Sequence, residues 1–324
     1  MRKLARALGS FAVCCIALIC PLVCDLARAA DYPVRPIRVF CPYAAGGSSD
    51  YVTRLIAEQL GKRLGQRVVV ENRTGAGEII STQAVVAAEP DGYTLGMVSN
   101  VMTLNPFIRK DMPYQISDLA VVTQHITVAS IIVVRPEAPP KSFPEFMKWA
   151  KTKPDKVTAG RVAPSAVIVW KRLEKATGTE FIDVPYAGNA PALVGLLGGQ
   201  IDTMQVTYFE SSSHLDAGSV RPIAVTNPER MPVLPDVPAI AEFVPGFSHV
   251  AWNGFVLPAK TPEAIVKRLA KEISEIVKTP EVSKILVERG YGVVGNSPEE
   301  FAAWVKSDLE ANEKNVKSAG LTIQ

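Results

Sequence analysis

Short apolar runs that alternate with amphipathic helical segments constrain the fold of this chain more than any other feature. Apolar runs at residues 37–41, 67–71 and 93–98 are separated by segments in which apolar residues recur at i, i+3 and i+4. A second series of the same kind extends over residues 121–226. Strands that alternate with helices are typical of doubly wound parallel sheets, so the sequence predicts an α/β protein built from two such units.

The C-terminal part of the chain predicts how the two units are connected. Helices are expected to begin at a Thr-Pro pair at 261–262 and a Ser-Pro pair at 297–298, because an N-cap residue followed by proline is a typical helix start. These helices need an apolar surface to pack on, and the first unit is the economical choice. We therefore expect a discontinuous lobe 1 (residues 30–131 and 252–324), a continuous lobe 2 (residues 132–251) and a hinge with at least two crossings.

Residues 1–29 have the pattern of a cleavable signal peptide. Basic residues precede an apolar run at 8–23, and an Ala-Arg-Ala sequence at 27–29 supplies the small residues of a cleavage site. A retained membrane anchor is disfavoured because the run is shorter than the roughly 20 residues of a membrane span. A lipoprotein signal at Cys24 is disfavoured because no small residue precedes that cysteine. We therefore expect export and removal of these residues.

The charge and cysteine content of the remaining chain exclude several classes of function. Residues 1–29 hold four of the 35 basic residues and one of the 32 acidic residues, so 31 of each remain and the formal net charge falls from +3 to zero. A neutral chain gives no reason to expect a nucleic-acid partner. Cys41 is the only cysteine after residue 29, so no intramolecular disulfide is expected, and its apolar surroundings indicate a core residue.

The loop at residues 43–50, between the first predicted strand and its helix, is the strongest candidate for a binding site. Gly46 and Gly47 permit close approach of backbone or ligand, and the Ser-Ser-Asp sequence at 48–50 is typical of a helix start. The free amides and the dipole of a helix N-terminus favour an anion there. The alternative is a tight strand-to-helix turn without a ligand, and this stretch by itself favours neither.

Two further polar loops, at residues 74–78 and 99–100, are expected at the same sheet edge, where ligands of open α/β sheets bind. In the second series, a polar tail at residues 210–213 is expected after a strand at 204–208. The sequence has no phosphate-binding loop, dinucleotide fingerprint or nucleophile elbow. His125, His214 and His249 have no partner at metal-ligand spacing. Since these polar groups bind rather than catalyse, we expect no enzymatic activity, no cofactor and no metal.

Several segments, in matching order and spacing, resemble one protein family. They are similar to the Bug-type periplasmic solute receptors of tripartite tricarboxylate transporters over residues 31–321, essentially the whole chain after the signal peptide. The resemblance implies a two-lobed periplasmic-binding-protein fold, each lobe a doubly wound sheet flanked by helices, that closes by a hinge around a small carboxylate. The segments are PIRVFCPYAAGGSSD, RLGQRVVVENRTGAG, AAEPDGYTLGM, FIDVPYAGNAPALVGLLGGQID, AVTNPERMPVLPDVPAIAE, WNGFVLPAKTP and SPEEFAAWVK.

The resemblance also implies where the ligand is held. A ligand carboxylate is expected against the first loop and against the Thr-Gly-Ala-Gly sequence at 74–77, with further contacts from the third polar loop and from the second lobe. For the tyrosine of the second lobe, the alternative is a ring that closes the core at a strand end. The implied contact residues are Tyr43, Ala45, Gly46, Gly47, Ser48, Ser49, Asp50, Thr74, Ala76, Gly77, Ser99, Asn100, Tyr186 and Gly188.

Three places in the chain depart from the family pattern: residue 78, residues 161–165 and residues 207–208. Glu78 stands where relatives usually carry glycine, and a carboxylate there would repel the ligand unless it points away or meets a cation. In the second lobe, residues 161–165 replace a Gly/Ser-rich sequence followed by histidine, so that Arg161 either grips a second carboxylate or faces solvent. A Thr-Tyr pair at 207–208 replaces the usual Asp-Asn and predicts a less polar, partly aromatic pocket. The candidates added by these departures are Arg161, Ser165, Thr207 and Tyr208.

Three functions are compatible with these residues. We favour a monomeric periplasmic solute-binding protein that captures a small mono- or dicarboxylate, aromatic acids included, and delivers it to the permease subunits of a tripartite transporter. A ligand-presenting partner of a membrane sensor kinase would use the same pocket. A secreted α/β enzyme is the third alternative, and the absence of a recognisable nucleophile and base in the sequence counts against it.

Overall fold

The computed structural model describes residues 32–153, 155–162 and 164–319. The signal peptide expected at residues 1–29 lies outside these ranges. Within them, no helix is both long and apolar enough to cross a membrane. Two sheets organise the described chain: a six-stranded sheet, which with its helices is called the first lobe, and a five-stranded sheet, which with its helices is called the second lobe.

Parallel strands bring three loops of the first lobe to one edge of its sheet. Its strands are β1 (Ile37–Cys41), β2 (Val68–Asn72), β3 (Thr94–Ser99), β4 (Leu119–Val128), β10 (Ala251–Pro258) and β11 (Tyr291–Val293). They lie in the order β11-β4-β10-β3-β1-β2. β1 pairs in parallel with β2 and with β3, whereas β10 runs antiparallel between β3 and β4. The loops that follow β1, β2 and β3 therefore begin side by side.

Helices cover both faces of the first sheet. One face carries α1 (Ser48–Leu64), α8 (Glu263–Lys278) and α9 (Pro280–Glu288), and the other carries α2 (Ile79–Val86), α3 (Asn100–Ile108) and α10 (Pro298–Ala319). The C-terminal helices thus pack on the sheet formed by the N-terminal strands, as the sequence predicts. This arrangement explains why the chain must return to the first lobe after the second is complete.

The apolar stripe expected on α1 is present. Val52, Ile56 and Leu60 are fully buried, and Leu55 and Leu64 are partly buried against the same core. Because these residues recur at i, i+4 and i+8, they lie on one side of the helix and leave the other side to solvent. Their burial fixes the angle at which the start of α1 leaves β1.

The second lobe repeats the architecture with fewer strands. Its strands are β5 (Ser130–Val134), β6 (Val157–Arg161), β7 (Phe181–Pro185), β8 (Thr203–Thr207) and β9 (Arg221–Val225), in the order β7-β6-β8-β5-β9. β6 is parallel to both β7 and β8. Its helices are α4 (Phe143–Thr152) and α5 (Pro164–Thr177) on one face, and α6 (Asn189–Leu197) and α7 (Tyr208–Asp216) on the other.

The chain crosses between the lobes at two places, and side chains of the two lobes also touch. β4 continues into β5 through Ala129, and residues 226–250 lead back to β10. In addition, Leu104 of α3, Ile168 of α5 and Val316 of α10 form one apolar cluster that joins the lobes. The lobe boundaries at residues 131 and 251 stay predictions.

Two helices lie where the sequence indicated polar, irregular chain. Asn100 is the first residue of α3, not part of a loop, and residues 210–213 lie within α7. In both cases the residue before the helix is a hydroxyl N-cap: the Ser99 side chain accepts the amide of Val101, and the Thr207 side chain accepts that of Glu210. Ser99 is the last residue of β3 and Thr207 the last residue of β8, so each helix begins at the end of a strand that has a parallel neighbour.

Candidate functional site

The first loop leaves the start of α1 open. The N-cap residue is Gly47, which is extended (φ −73°, ψ 170°) and has no side chain that could accept an amide. Its own amide bonds to Ala44 O at 3.3 Å, and Tyr51 N bonds to Gly47 O at 2.9 Å. Among the described residues, the amides of Ser48 and Ser49 have no protein acceptor. An uncapped helix start of this kind attracts an anion.

Asp50 lies beneath this loop and not on its ligand-facing side. The side chain is only 2% exposed. Its carboxylate accepts the Gly46 amide at 2.9 Å, Asn72 Nδ2 at 2.7 Å and Arg54 Nε at 3.0 Å. Burial alone would raise the pKa of this carboxyl, but the bonds from Arg54, Asn72 and Gly46 outweigh it and hold the pKa below its usual value. Its oxygens thus hold the loop in place, and a direct contact of Asp50 with the ligand stays a prediction.

The two serines of the loop attach it to distant strands. Ser48 Oγ lies 2.8 Å from Tyr291 Oη of β11, and Asn253 Nδ2 of β10 donates to Ser49 Oγ at 2.9 Å. Ser48 is buried and Ser49 is half-buried. Since Ser49 Oγ accepts the Asn253 bond, its own proton remains available to a ligand.

The second loop has an unusual backbone. Gly75 (φ 127°), Ala76 (φ 48°), Gly77 (φ 60°) and Glu78 (φ 72°) all have positive φ, and two of them are not glycine. Such positions persist only where the surrounding contacts hold them. Here Asn105 Nδ2 donates to Gly77 O at 2.8 Å, and the Glu78 side chain is buried. The predicted contacts Thr74, Ala76 and Gly77 are exposed at this loop.

Glu78 is the central residue of a buried polar cluster. Its carboxylate accepts Tyr43 Oη and Ser99 Oγ, and the Ser99 amide at 3.1 Å. Tyr43 Oη and Ser99 Oγ are also 2.9 Å apart. Burial raises the pKa of the Glu78 carboxyl, against the bonds from Ser99 and Tyr43, and burial with the adjacent Glu78 charge raises the pKa of Tyr43. Glu78 thus neither points away nor meets a cation; it meets three neutral donors.

In the second lobe, the start of α7 is capped by its own side chains. Thr207 Oγ1 accepts the Glu210 amide at 3.3 Å and donates to Glu210 Oε2 at 2.7 Å. Asn189 Nδ2, at the start of α6, donates to the same oxygen at 2.5 Å. Burial raises the pKa of Glu210, against these bonds from Thr207 and Asn189. The predicted contact Thr207 therefore already has partners within its own lobe.

The starts of α1 and α7 meet around β11, and we call this place the junction (Ser48, Tyr51, Tyr208, Phe209, Gly290 and Tyr291). The ring of Phe209 lies 5.4 Å from that of Tyr51 and 6.1 Å from that of Tyr291. The Tyr208 side chain lies against Gly290, where a Cβ would come within 2.6 Å of it. The expected aromatic character of the second lobe is therefore found at the junction, with Tyr208 packed across it.

Tyr186 and Gly188 have structural roles as well. The Tyr186 ring lies over Gly195 of α6, where a Cβ would be 2.3 Å from the hydroxyl oxygen. This is the core-closing alternative considered for this tyrosine. Gly188 is the N-cap of α6 and has no side chain to cap it, so this helix start, like that of α1, is open. Among the residues of the second lobe, Gly188 is thus the better placed of the two to meet an anion.

Arg161 has an internal partner. Its Nε lies 2.9 Å from Asp183 Oδ2 on the neighbouring strand β7, and both side chains are partly exposed. Burial raises the pKa of Asp183, and the Arg161 charge opposes that rise. Arg161 therefore already has a carboxylate partner within its own lobe, and its contact with a ligand stays a prediction. The Ser165 side chain lies outside the described part of the structure.

Three residues that support the first loop were not predicted from the sequence: Asn72, Asn253 and Tyr291. Asn72 also donates to Tyr43 O at 2.8 Å. Asn72 directly follows a predicted strand, and Asn253 interrupts an apolar run of the sequence. A polar side chain at such a position needs a hydrogen-bond partner, and this signal could have marked both residues. Tyr291 gives no such signal, because its contact with Ser48 spans 243 positions.

A separate cavity of about 640 Å³ lies beside the hinge segments. It is bordered by α10, by the chain after β9 and by residues 248–250. Asn100 lines it, whereas the described residues of the first two loops do not. Asn100 therefore faces a different space from Ser49 and Gly47, although it directly follows Ser99 in the chain.

Two α/β lobes joined by strand crossings, with open helix starts at the edges of their parallel strands, define a two-lobed periplasmic binding protein. The fold is shared with solved structures. The periplasmic binding protein BugD superposes with a TM-score of 0.81 at 31% identity, over 90% of this chain and 100% of BugD. R. palustris Rpa4515 with adipate superposes with a TM-score of 0.84 at 28% identity, over 90% and 100% of the two chains.

The sequence comparison identifies the family. The profile described as "Tripartite tricarboxylate transporter family receptor" matches residues 52–321. The chain is also 32% identical over 288 residues to the "UPF0065 protein in tcbD-tcbE intergenic region" of Pseudomonas sp. strain P51, covering 87% of this chain and 86% of that one. The chain therefore belongs to the tripartite tricarboxylate transporter receptor family, and the predicted resemblance is confirmed.

Proposed function

We propose that this protein captures a small mono- or dicarboxylate between its lobes and delivers it to the permease subunits of a tripartite transporter. The observation that carries the proposal is the open start of α1, where Gly47 leaves the amides of Ser48 and Ser49 free to meet a carboxylate. The adipate bound to a relative of the same fold supports this class of ligand. The family consists of receptors, which supports binding without chemical conversion.

Each loop contributes differently in this proposal. The amides of Ser48 and Ser49 and the Ser49 hydroxyl receive the carboxylate, and the exposed residues Thr74, Ala76 and Gly77 border it. Gly188 brings the open start of α6 from the second lobe. Closure of the lobes then places the ligand between groups of both, so that affinity depends on both.

The direct test is a thermal-shift screen of aliphatic and aromatic mono-, di- and tricarboxylates, followed by calorimetry. A ligand at a hundred times its dissociation constant stabilises the folded state by about 2.7 kcal/mol. The ligand recovered from the complex should be chemically unchanged, since an altered product would indicate an enzyme. Crosslinking to membranes should capture permease subunits, and capture of a sensor kinase instead would contradict the delivery role.

Gly47→Asp tests the site itself. The backbone at Gly47 suits any residue, and a Cβ would meet Ala44 O at an ordinary 3.4 Å, so the variant should fold. An aspartate at the N-cap would accept the free amides and repel the ligand, so we expect a loss of affinity of at least a hundredfold with unchanged or higher thermal stability. Gly47→Ala lacks the oxygen and should lose far less. Equal affinities of wild type and Gly47→Asp in calorimetry would overturn the site assignment.

A further inference from the structure

Two carboxyl side chains at the edges of the lobes have their own donors and no role in the binding site proposed above. Glu78 is 3% exposed, and Glu210 is partly buried at the start of α7. In the described part of the chain, the partners of both are neutral groups, with no ammonium or guanidinium among them. Each carboxyl therefore uses hydrogen-bond donors of its own lobe.

Glu78 occupies donors that lie close to the open start of α1. Ser99, whose amide and hydroxyl bond to Glu78, pairs with Asn253 across β3 and β10, and Asn253 bonds to Ser49 of the first loop. Glu78 has positive φ, a conformation that glycine adopts more easily. The side chain is nevertheless retained there and used to bind the Ser99 and Tyr43 donors. A second ligand carboxylate cannot use these donors and would meet a like charge.

Glu210 has the corresponding effect on the second lobe. It occupies Asn189 Nδ2 at the start of α6 and Thr207 Oγ1 at the end of β8. It lies near the junction, since it directly follows Phe209, whose ring lies 6.1 Å from that of Tyr291. A dicarboxylate held by its first carboxylate at α1 would therefore meet a carboxyl group with occupied donors in either lobe.

We infer that Glu78 and Glu210 act as internal carboxylates that restrict this protein to ligands with a single carboxylate. This inference rests on the proposed function and narrows it to monocarboxylates. The two side chains occupy polar donors of both lobes. Because Glu210 lies beside the open start of α6 through its bond with Asn189, the amides of Ser48 and Ser49 remain the main anion position. The remainder of the ligand is then expected to be uncharged and to contact the aromatic residues of the junction.

Matched ligand pairs test the inference. Calorimetry is performed with hexanoate and adipate, which share a six-carbon chain, and with benzoate and terephthalate, which share a ring. We expect the wild type to bind the monocarboxylate of at least one pair ten or more times more tightly than the dicarboxylate. A wild-type preference for the dicarboxylates in both pairs would overturn the inference and leave the proposed function standing.

Variants connect the preference to the two side chains. Glu78→Gly suits the positive φ and frees three donors, so the affinity for the dicarboxylate should rise at least tenfold while that for the monocarboxylate changes less than threefold. Glu210→Gln should shift the preference in the same direction by a smaller factor. Glu78→Gln keeps the shape of the side chain, and its affinities for the dicarboxylate and the monocarboxylate test the inference if Glu78→Gly is unstable. Glu89→Gln, an exposed carboxyl beyond α2, serves as the control and should change neither affinity.

The outcomes separate the two proposals. An unchanged preference in both Glu78 variants would show that this residue only supports the loop, and would overturn the inference alone. If the wild type binds none of the four acids and no carboxylate stabilises it in the thermal-shift screen, the proposed function fails, and the inference fails with it. A shift of the preference in Glu78→Gly without a shift in Glu89→Gln would support both.

Discussion

The two helices that begin at the junction, α1 of the first lobe and α7 of the second lobe, start in opposite ways. α1 starts at a glycine N-cap and leaves its amides open, whereas α7 starts at Thr207, whose hydroxyl accepts the Glu210 amide. Asp50 and Glu210 are each the third residue of their helix. Asp50 is buried beneath the first loop and accepts the Gly46 amide and Asn72 Nδ2, whereas Glu210 accepts Thr207 Oγ1 and Asn189 Nδ2. Under the proposed function, we expect the first lobe to recognise charge at the start of α1 and the second lobe to supply mainly shape and aromatic surface.

The largest expected effect comes from removing the support beneath the open helix start. Asp50→Ala would remove the acceptor of the Gly46 amide and one of the two acceptors of the partly buried Asn72 amide, at a cost of about 3 kcal/mol in the free energy of unfolding. The first loop should also lose its geometry, with at least a thirtyfold loss of affinity. Denaturant unfolding and calorimetry measure the two effects. Glu58→Ala, at an exposed pair on the same helix, should cost less than about 0.5 kcal/mol.

If Asp50→Ala lost stability but kept full affinity, the first loop would not be the anion site. The comparison between the lobes would then break, because the open start of α1 would have no functional consequence. Glu210→Ala is the corresponding variant of the second lobe, because it removes the carboxyl at the start of α7. It should cost less affinity than Asp50→Ala, since its donors do not belong to the open helix start.

Acid should lower the stability of the first lobe more than that of the second, because the first lobe contains a fully buried histidine. His125 in β4 is fully buried beside Phe255, and burial lowers its pKa to about 3. Because the folded-state pKa lies below the ordinary 6.5, the neutral form stabilises the fold: this contribution is complete above pH 6.5 and is lost as the pH falls towards 3. Between pH 6.5 and 4 the loss should be about 2–3 kcal/mol.

Denaturant unfolding of His125→Phe across this pH range checks the sign, since the variant should lose part of the acid sensitivity. His249, in the segment that returns from the second lobe, is the comparison. Burial, with the nearby Arg172 charge, lowers its pKa to about 4, but its side chain is partly exposed, so its contribution should be smaller. If His249→Phe lost more of the acid sensitivity than His125→Phe, the comparison between the two lobes would be contradicted.

The smallest expected effects concern the caps themselves, and they should have opposite signs in the two lobes. Thr207→Ala removes the cap of α7 and should cost about 1 kcal/mol in stability, with little change in affinity. Gly47→Ser supplies a cap to α1, so it should keep or raise stability by up to about 0.5 kcal/mol and lower the affinity severalfold. Thermal unfolding with and without a bound carboxylate measures both. Equal signs for the two variants would remove the distinction between an open and a closed helix start.

Local patterns in the sequence were sufficient for much of the fold. The alternating strands and helices, the apolar stripe of α1 and the return of the C-terminal helices all follow from periodicity and helix-start signals. α3 and α7 were missed for a local reason as well. Pro106 interrupts α3, and three consecutive serines lower the helix propensity of α7, so both segments look irregular without their tertiary contacts.

The finer structure of the candidate site depends on partners that are distant in sequence. Ser49 and Asn253 are 204 positions apart, and nothing local indicates that one would bond to the other. The Arg161–Asp183 pair and the Glu78 cluster likewise require the register of neighbouring strands. The first loop could be found because the chemistry of a helix start lies in consecutive residues, whereas the partners of each side chain could not.

The position of Cys41 has a consequence for handling and labelling the protein. Its thiol is fully buried at the end of β1, directly before the first loop, and burial raises its pKa to about 11. A thiol that is both protonated and inaccessible reacts slowly with oxidants and alkylating reagents. Thiol-directed reagents should therefore label Cys41 only when the first lobe opens, which makes this residue an intrinsic reporter of unfolding beside the ligand loop.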